Sequence, residues 1–308
     1  MEYRIIRVVI KLNNKTNDYD GEDIIIKNNI NFSLDQMRDI INNRENCIPQ
    51  YIYKYREINP NEPIEDNKYI DALKNGKNYL AKPYSFNDPY DSAFSMDIEI
   101  FIESLIKTAE RQAKEKILKI EFEKLGIDIN KVNIDPICKD MNIDLSKAKP
   151  VFENNKQIFY EELINKIKFK ISCFSETNKS ILMWSHYASQ HKGFCIEYDT
   201  SKIEDKIKKE IYPVFYHETF FPLIKTKKEI NDKKFNSLIK YKDWRYEKEW
   251  RLLLNEDFVY LKPSKIYLGV KFDDDNLVLF KEIAHDQNCK LYKMNMDYSE
   301  YKLYETEI

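Results

Sequence analysis

Glycine is scarce, with five residues in a chain of 308, and proline reaches only ten. Collagen-like, propeller-like and linker-rich architectures are excluded by that shortage. No Gly-rich dinucleotide fingerprint is present, which disfavours a Rossmann-type dehydrogenase. Charge of one sign is also lacking: 50 Lys and Arg face 52 Asp and Glu, for a net charge of -2. The chain is therefore not a globally basic nucleic-acid wrapper, although a local basic patch stays open. No apolar run approaches the roughly 20 residues of a membrane helix. The opening stretch MEYRIIRVVIKL carries Arg4 and Arg7 inside its apolar residues, unlike a signal peptide. The five cysteines are scattered, and His186 and His191 stand five apart, so no metal-ligand spacing occurs. These features predict free thiols, a reducing compartment, no membrane contact and a cytoplasmic protein.

What is present suffices for a folded core: 43% hydrophobic and 14% aromatic residues. The length allows one large domain or two. Residues 3–12 and 22–32 read as strands and 33–43 as a helix capped by Ser33, together an N-terminal accessory β/α element over 1–46. An α+β core domain is expected over 47–308, with strands at 51–58, 78–83, 169–176, 193–199, 210–217, 244–254, 264–272, 289–294 and 300–305. Helices are expected near 66–75, 179–190, 225–242 and from Asp273 or Asp274 to about Asn288. From Met96 to about Leu125 apolar residues including Ala113, Ile117 and Ile120 recur at helical spacing. With a second helix at 151–166, this forms a helical insertion at about 95–166. Strands and helices mix without regular alternation, so the expected sheet is mixed or antiparallel rather than doubly wound.

Three segments carry chemistry. In the expected strand 244–254, Arg245, Glu247, Glu249 and Arg251 share one face. Two acids between two arginines are costly to bury unless they pair or meet a ligand. The arginines should keep both acids ionised. Around the expected 179–190 helix, His186 is a candidate acid or base, with Trp184 and Tyr187 beside it and Ser175 and Thr177 at the preceding strand end. Asn87 lies in an Asn-Asp-Pro turn. A salt-bridge ladder, a structural histidine and an Asx-turn are the plain alternatives.

Together Asn87-Asp88-Pro89-Tyr90-Asp91, Cys173-Phe174-Ser175, Met183-Trp184-Ser185-His186-Tyr187-Ala188, His191-Lys192-Gly193-Phe194 and Tyr246-Glu247-Lys248-Glu249-Trp250-Arg251 resemble a bacterial family known as domain of unknown function 2971. The resemblance runs from about Tyr51 to near Lys293 and implies no activity by itself. The order Arg56, then Ser175-Glu176-Thr177, then Glu247-Lys248-Glu249 is also similar to ADP-ribosyltransferases. That likeness implies NAD as substrate and an ADP-ribosyltransferase-like fold. In that scheme Arg56 would grip phosphates and Ser175 would support the ribose; Thr177, Asn87, Trp184, Tyr187 and Arg251 are further expected binding residues, the Asn-Asp-Pro turn having no counterpart in it. Glu249 would stabilise the sugar cation, with Glu247 beside it; His186, which has no place in that scheme, is the third expected catalytic residue. The expected function is an NAD-consuming transferase, a toxin or anti-phage effector, acting on a protein, nucleic acid or nucleotide. A non-catalytic binding or interaction module is one alternative. A metal-dependent nuclease using Asp88, Asp91, Glu247 and Glu249 is another.

Overall fold

The computed structural model describes residues 32–59, 61–88, 91, 95–96, 111–120, 123–124, 169–218, 222–224 and 237–308. The strands expected at 3–12 and 22–32, the helix at 151–166 and most of the 225–242 helix lie outside these residues. The chain divides into two compact units. Residues 1–93, 169–219 and 237–308 form the larger, and 94–168 with 220–236 the smaller.

In the larger unit the strands are β1 (Tyr51–Arg56), β2 (Lys77–Tyr79), β4 (Lys170–Ser175), β5 (Phe194–Asp199), β6 (Ile211–Pro213) and β7 (Phe215–His217). They continue as β9 (Ile239–Tyr241), β10 (Glu249–Leu254), β11 (Phe258–Tyr260), β12 (Lys265–Leu268), β13 (Lys290–Met296) and β14 (Leu303–Glu307). The smaller unit holds β3 (Ser95–Met96) and β8 (Pro222–Ile224), paired in parallel.

Eight strands form the main sheet in the order β14-β13-β12-β5-β1-β4-β10-β6. Every neighbour pair is antiparallel except β12 with β13, which are joined through the helix Leu277–Asp286. The fold is α+β with a mixed sheet. Alternation along each strand separates two faces. Ile52, Phe174, Ile196, Trp250, Leu252 and Ile266 meet the helices Lys68–Lys74 and Leu277–Asp286 in the main core. On the opposite face, Tyr55, Cys195 and Tyr267 pack with Met183 and Trp184 of the helix Ile181–Tyr187. The described part of the N-terminal element joins this unit: Met37 and Ile40 are fully buried, and Arg44 stacks on Tyr212.

The sheet is open in one place. β1 pairs with β5 through six residues, and β4 with β10 through six, but β1 meets β4 only at Tyr53 and Ser175. Beyond that point β4 finds other partners, leaving a gap between itself and β1. Ala81 bridges Ile171 through two backbone hydrogen bonds of 2.8 Å, and the Lys54 Nζ donates to the Cys173 carbonyl at 2.7 Å.

Several expected boundaries shift for local reasons. The 264–272 strand stops at Leu268, because the carbonyl of His191 approaches Gly269 so closely that a Cβ there would lie 2.0 Å from it. The lysine-rich helix does not reach 242: Ile239–Tyr241 is extended and turns Lys240 inward, so that residue is not on a solvated helix face. Residues 111–120 are helical, as expected, but Lys114 and Leu118 are buried while Ile117 and Ile120 are exposed. The buried stripe is thus displaced by one position from the one read in the periodicity, and it includes a lysine, whose alkyl stem tolerates burial. Among the described residues no helix is long and apolar enough to cross a membrane.

The helix Ile181–Tyr187 ends in three successive left-handed residues, Ser189, Gln190 and His191, with φ of 47, 55 and 72°. They deliver the chain to Gly193, which enters β5 against the end of β1. A Cβ at Gly193 would lie 2.2 Å from the Arg56 carbonyl oxygen. Gly193→Ala should therefore cost about 1–3 kcal/mol, the usual size of an overpacking defect. A clear drop in the urea midpoint is expected; an unchanged midpoint would show that β1 and β5 separate freely here.

Candidate active site

The two acids are brought together by a break in the strand, not by its alternation. Residues Lys242–Glu247 form a 3-10 helix, Lys248 is left-handed at φ 46°, and β10 starts only at Glu249. The expected strand over 244–254 is corrected accordingly. A continuous strand would carry Arg245 into the interior with Glu247, Glu249 and Arg251; the turn leaves Arg245 in solvent and buries the other three. Its backbone is held on several sides. The Ser175 hydroxyl donates to the Glu247 carbonyl at 2.6 Å, the Glu176 amide to the Lys248 carbonyl at 3.1 Å, and the Tyr216 hydroxyl accepts from the Glu249 amide at 2.9 Å.

Behind this turn lies a buried ionic network. Arg251, wholly buried, grips Asp91 with two parallel hydrogen bonds of 2.8 and 2.6 Å. The same guanidinium reaches both oxygens of Glu249, at 2.8 and 3.1 Å. Lys240 Nζ lies 2.5 Å from Glu247 Oε2, 3.1 Å from Glu249 Oε2 and 3.6 Å from Asp91 Oδ2. Tyr187 donates to the remaining Glu247 oxygen at 2.6 Å.

Three carboxyls thus share two cations, one negative charge more than the cations balance. The imbalance falls on Glu247. Burial, and then the Glu249 charge beside it, push its carboxyl up to about 7. Glu249 moves the other way: burial opposes its charge, but Arg251 and Lys240 outweigh burial and hold it well below the usual carboxylate range. Burial also works against the ammonium of Lys240, yet Glu249 and Glu247 hold it protonated. The expectation that Arg245 and Arg251 keep both acids ionised is therefore corrected in part: Arg251 does hold Glu249 as an anion, but Arg245 lies in solvent and Glu247 is pushed up.

The network borders a cleft of about 620 Å³. The cleft occupies the gap between β1 and β4, and Glu247, Glu249, Lys240 and Asp91 line it together with Lys54 and Arg56. Arg56 stands three residues beyond Tyr53, or about 10 Å along β1. Its guanidinium lies over the Tyr69 ring, 4.5 Å from the centroid. Of the residues singled out from the sequence, Arg56, Asn87, Ser175, His186, Tyr187, Glu247 and Glu249 line this one cleft. His186 is exposed and its Nδ1 meets the Tyr246 hydroxyl at 2.8 Å.

Thr177, Trp184 and Arg251 are not in the lining. Thr177 accepts the Lys179 amide at 3.0 Å in a turn. Trp184 is wholly buried against Tyr55, its indole donating to the Asn178 carbonyl at 2.6 Å. Arg251 sits behind the acids. Sequence reasoning missed Lys240 and assigned no role to Lys54. Among the described residues no group of three or more His, Cys, Asp or Glu side chains is arranged to hold a metal ion.

Comparison with known proteins bears on this unit. Residues 183–252 match the family described as Protein of unknown function (DUF2971). The DUF2971 match starts at Met183 in the helix of His186 and Tyr187 and ends at Leu252 on β10, so it contains Lys240, Glu247, Glu249 and Arg251. Lys54, Arg56 and Asp91 lie outside the stretch matched to DUF2971. No curated protein and no solved structure matches the chain.

The proton on Glu247 has a thermodynamic consequence. Its folded carboxyl titrates at about 7 against an ordinary value of 4.5. The folded chain therefore keeps a proton that the unfolded chain has lost in this window. The group stabilises fully below its ordinary value, and that contribution disappears as pH rises through about 7. Glu247→Gln should flatten the fall in thermal midpoint between about pH 5 and about pH 7.5. An identical slope in the variant would place the surplus proton elsewhere.

Proposed function

We propose that the cleft binds a dinucleotide such as NAD and cleaves its N-glycosidic bond, an ADP-ribosyltransferase-like reaction. The observation that carries this reading is a pair of adjacent buried acids, Glu247 pushed up and Glu249 held down in their titration, lining one cleft that also presents an arginine about 10 Å along β1. Glycosidic cleavage needs both. A fixed anion stabilises the sugar cation that forms as nicotinamide leaves with the bonding electrons. A carboxyl titrating at about 7 is ionised in part of the molecules at neutral pH, and in that form it takes the proton of the attacking hydroxyl or water as its oxygen bonds to the ribose carbon. Glu249 is assigned the first role and Glu247 the second. Arg56, stacked on Tyr69, suits a diphosphate. Tyr53, Tyr187 and Phe86 offer aromatic surface for the bases.

The metal-nuclease alternative fits less well. Lys240 and Arg251 already occupy the space among Asp91, Glu247 and Glu249 where a divalent ion would sit. A non-catalytic binding role predicts nucleotide affinity with no turnover.

The test is incubation with NAD, with and without protein and nucleic-acid acceptors, measuring free nicotinamide. Glu249→Gln should lower release by about two orders of magnitude or more, as expected for losing one electrostatic stabiliser. Arg56→Met should act mainly on KM. Turnover equal to that of the unaltered chain in folded Glu249→Gln protein, checked by thermal melting, would sink the assignment. NAD binding without nicotinamide release would favour the non-catalytic role.

A further inference from the structure

Lys54 is the least expected group in the cleft. It points from β1 into the main-core face of the sheet, where only 8% of the residue is exposed. Its Nζ meets two neutral oxygens, Ser172 Oγ at 2.8 Å and the Cys173 carbonyl at 2.7 Å, and lies 5.0 Å from the centre of the Phe174 ring. Among the described residues no carboxylate stands within ion-pair distance of it, in contrast to Lys240. Ser172 Oγ also accepts from the Asn78 amide at 2.9 Å, so it is a neutral oxygen shared between two donors. A charge buried here without a balancing anion is costly, and losing the proton relieves that cost. Burial, with Arg56 next, pushes the Lys54 amine down to about 7, while the Cys173 thiol and the Glu249 carboxylate pull the other way.

Arg56 emerges two residues along the same strand face, about 7 Å away. No carboxylate among the described residues pairs with it either; its neighbour is the Tyr69 ring. Lys54 and Arg56 both line the cleft. A partly desolvated guanidinium without a carboxylate partner calls for an anionic ligand group. A neutral buried lysine beside it is the usual nucleophile for carbonyl carbon.

We propose that Lys54 is a covalent binding site for phosphorylated aldehydes, held as an imine with the phosphate on Arg56. The Lys54 nitrogen bonds to the carbonyl carbon, and the carbonyl oxygen departs as water with the two protons of the amine. No oxidant, reductant or metal is required, and the addition is reversible. The site shares Arg56 and the cleft with the glycosidic reading but uses neither Glu247 nor Glu249.

Pyridoxal 5'-phosphate is a suitable probe, because it carries an aldehyde and a phosphate and its imine is coloured. The full-length protein is incubated with the probe near pH 7, reduced with borohydride, digested and mapped by mass spectrometry. One reduced adduct per chain at Lys54 is expected, at probe concentrations that leave exposed lysines mostly unmodified. Ribose 5-phosphate, an aldehyde when its ring opens, should compete, whereas ribose should compete at least tenfold less well. Lys54→Arg and Lys54→Met should lose the adduct, and Arg56→Met should raise the half-saturating probe concentration by about tenfold or more. Mapping of the unaltered protein decides the matter even if a variant folds poorly. Labelling spread over surface lysines with Lys54 unmodified would overturn the proposal, as would equal competition by ribose and its phosphate. NAD turnover is not a readout here, so the outcome is independent of the glycosidic reading.

Discussion

The Arg251 guanidinium is the interaction on which the rest of the site depends. It is wholly buried, and its donors are spent on Asp91, Glu249 and the Ser237 carbonyl. Without it, Asp91, Glu247 and Glu249, all buried, would face a single ammonium. Breaking a buried ion pair from one side costs about 3–5 kcal/mol, because the stranded charge cannot be rehydrated. With it, Glu249 is held as an anion, and burial beside that charge pushes the Glu247 carboxyl up. The acid-base asymmetry of the cleft thus comes from the charge balance around one arginine.

The second determinant is the interrupted sheet. Had β1 and β4 continued in the register of Tyr53 and Ser175, Tyr55 would stand opposite Cys173 and the gap would be closed. Instead the Tyr55 hydroxyl donates to the Thr177 carbonyl, and the Cys173 carbonyl takes its hydrogen bond from Lys54. A side chain replaces a strand as the donor. Buried backbone oxygens need partners, so the gap exists only because Lys54 and Ala81 supply them.

Much of this is legible in the sequence, and what is not has identifiable physical causes. The order of strands along the chain emerges from aromatic and β-branched runs, and one cleft gathers Arg56, Asn87, His186, Tyr187, Glu247 and Glu249. The geometry of the acids is hidden because an alternating pattern of Arg and Glu suggests a strand, and nothing local in Glu247-Lys248-Glu249 announces a left-handed lysine. Ser175, Glu176 and Tyr216 impose that turn from distant parts of the chain. Lys240 and Lys54 escape notice for a related reason. In a chain with 50 basic residues a lysine reads as solvated surface, and only tertiary placement separates a buried one. Trp184 and Arg251 carry functional expectations, yet one fills the core and the other supports the acids from behind.

The separations in sequence across the site carry a kinetic meaning. Arg251 meets Asp91 across 160 residues, Lys54 meets Ser172 across 118, and Tyr187 meets Glu247 across 60. Contacts of such range form late, since each must wait for the closure of a long loop. During synthesis Asp91, and then Tyr187, would emerge well before their partners, leaving these polar groups hydrated until β10 docks. The ionic network is therefore a property of the closed sheet alone. A chain that ends before β10 holds every residue of β1 and β4 but neither the fixed anion nor the poised acid, so whatever chemistry the cleft performs waits for β10 to dock.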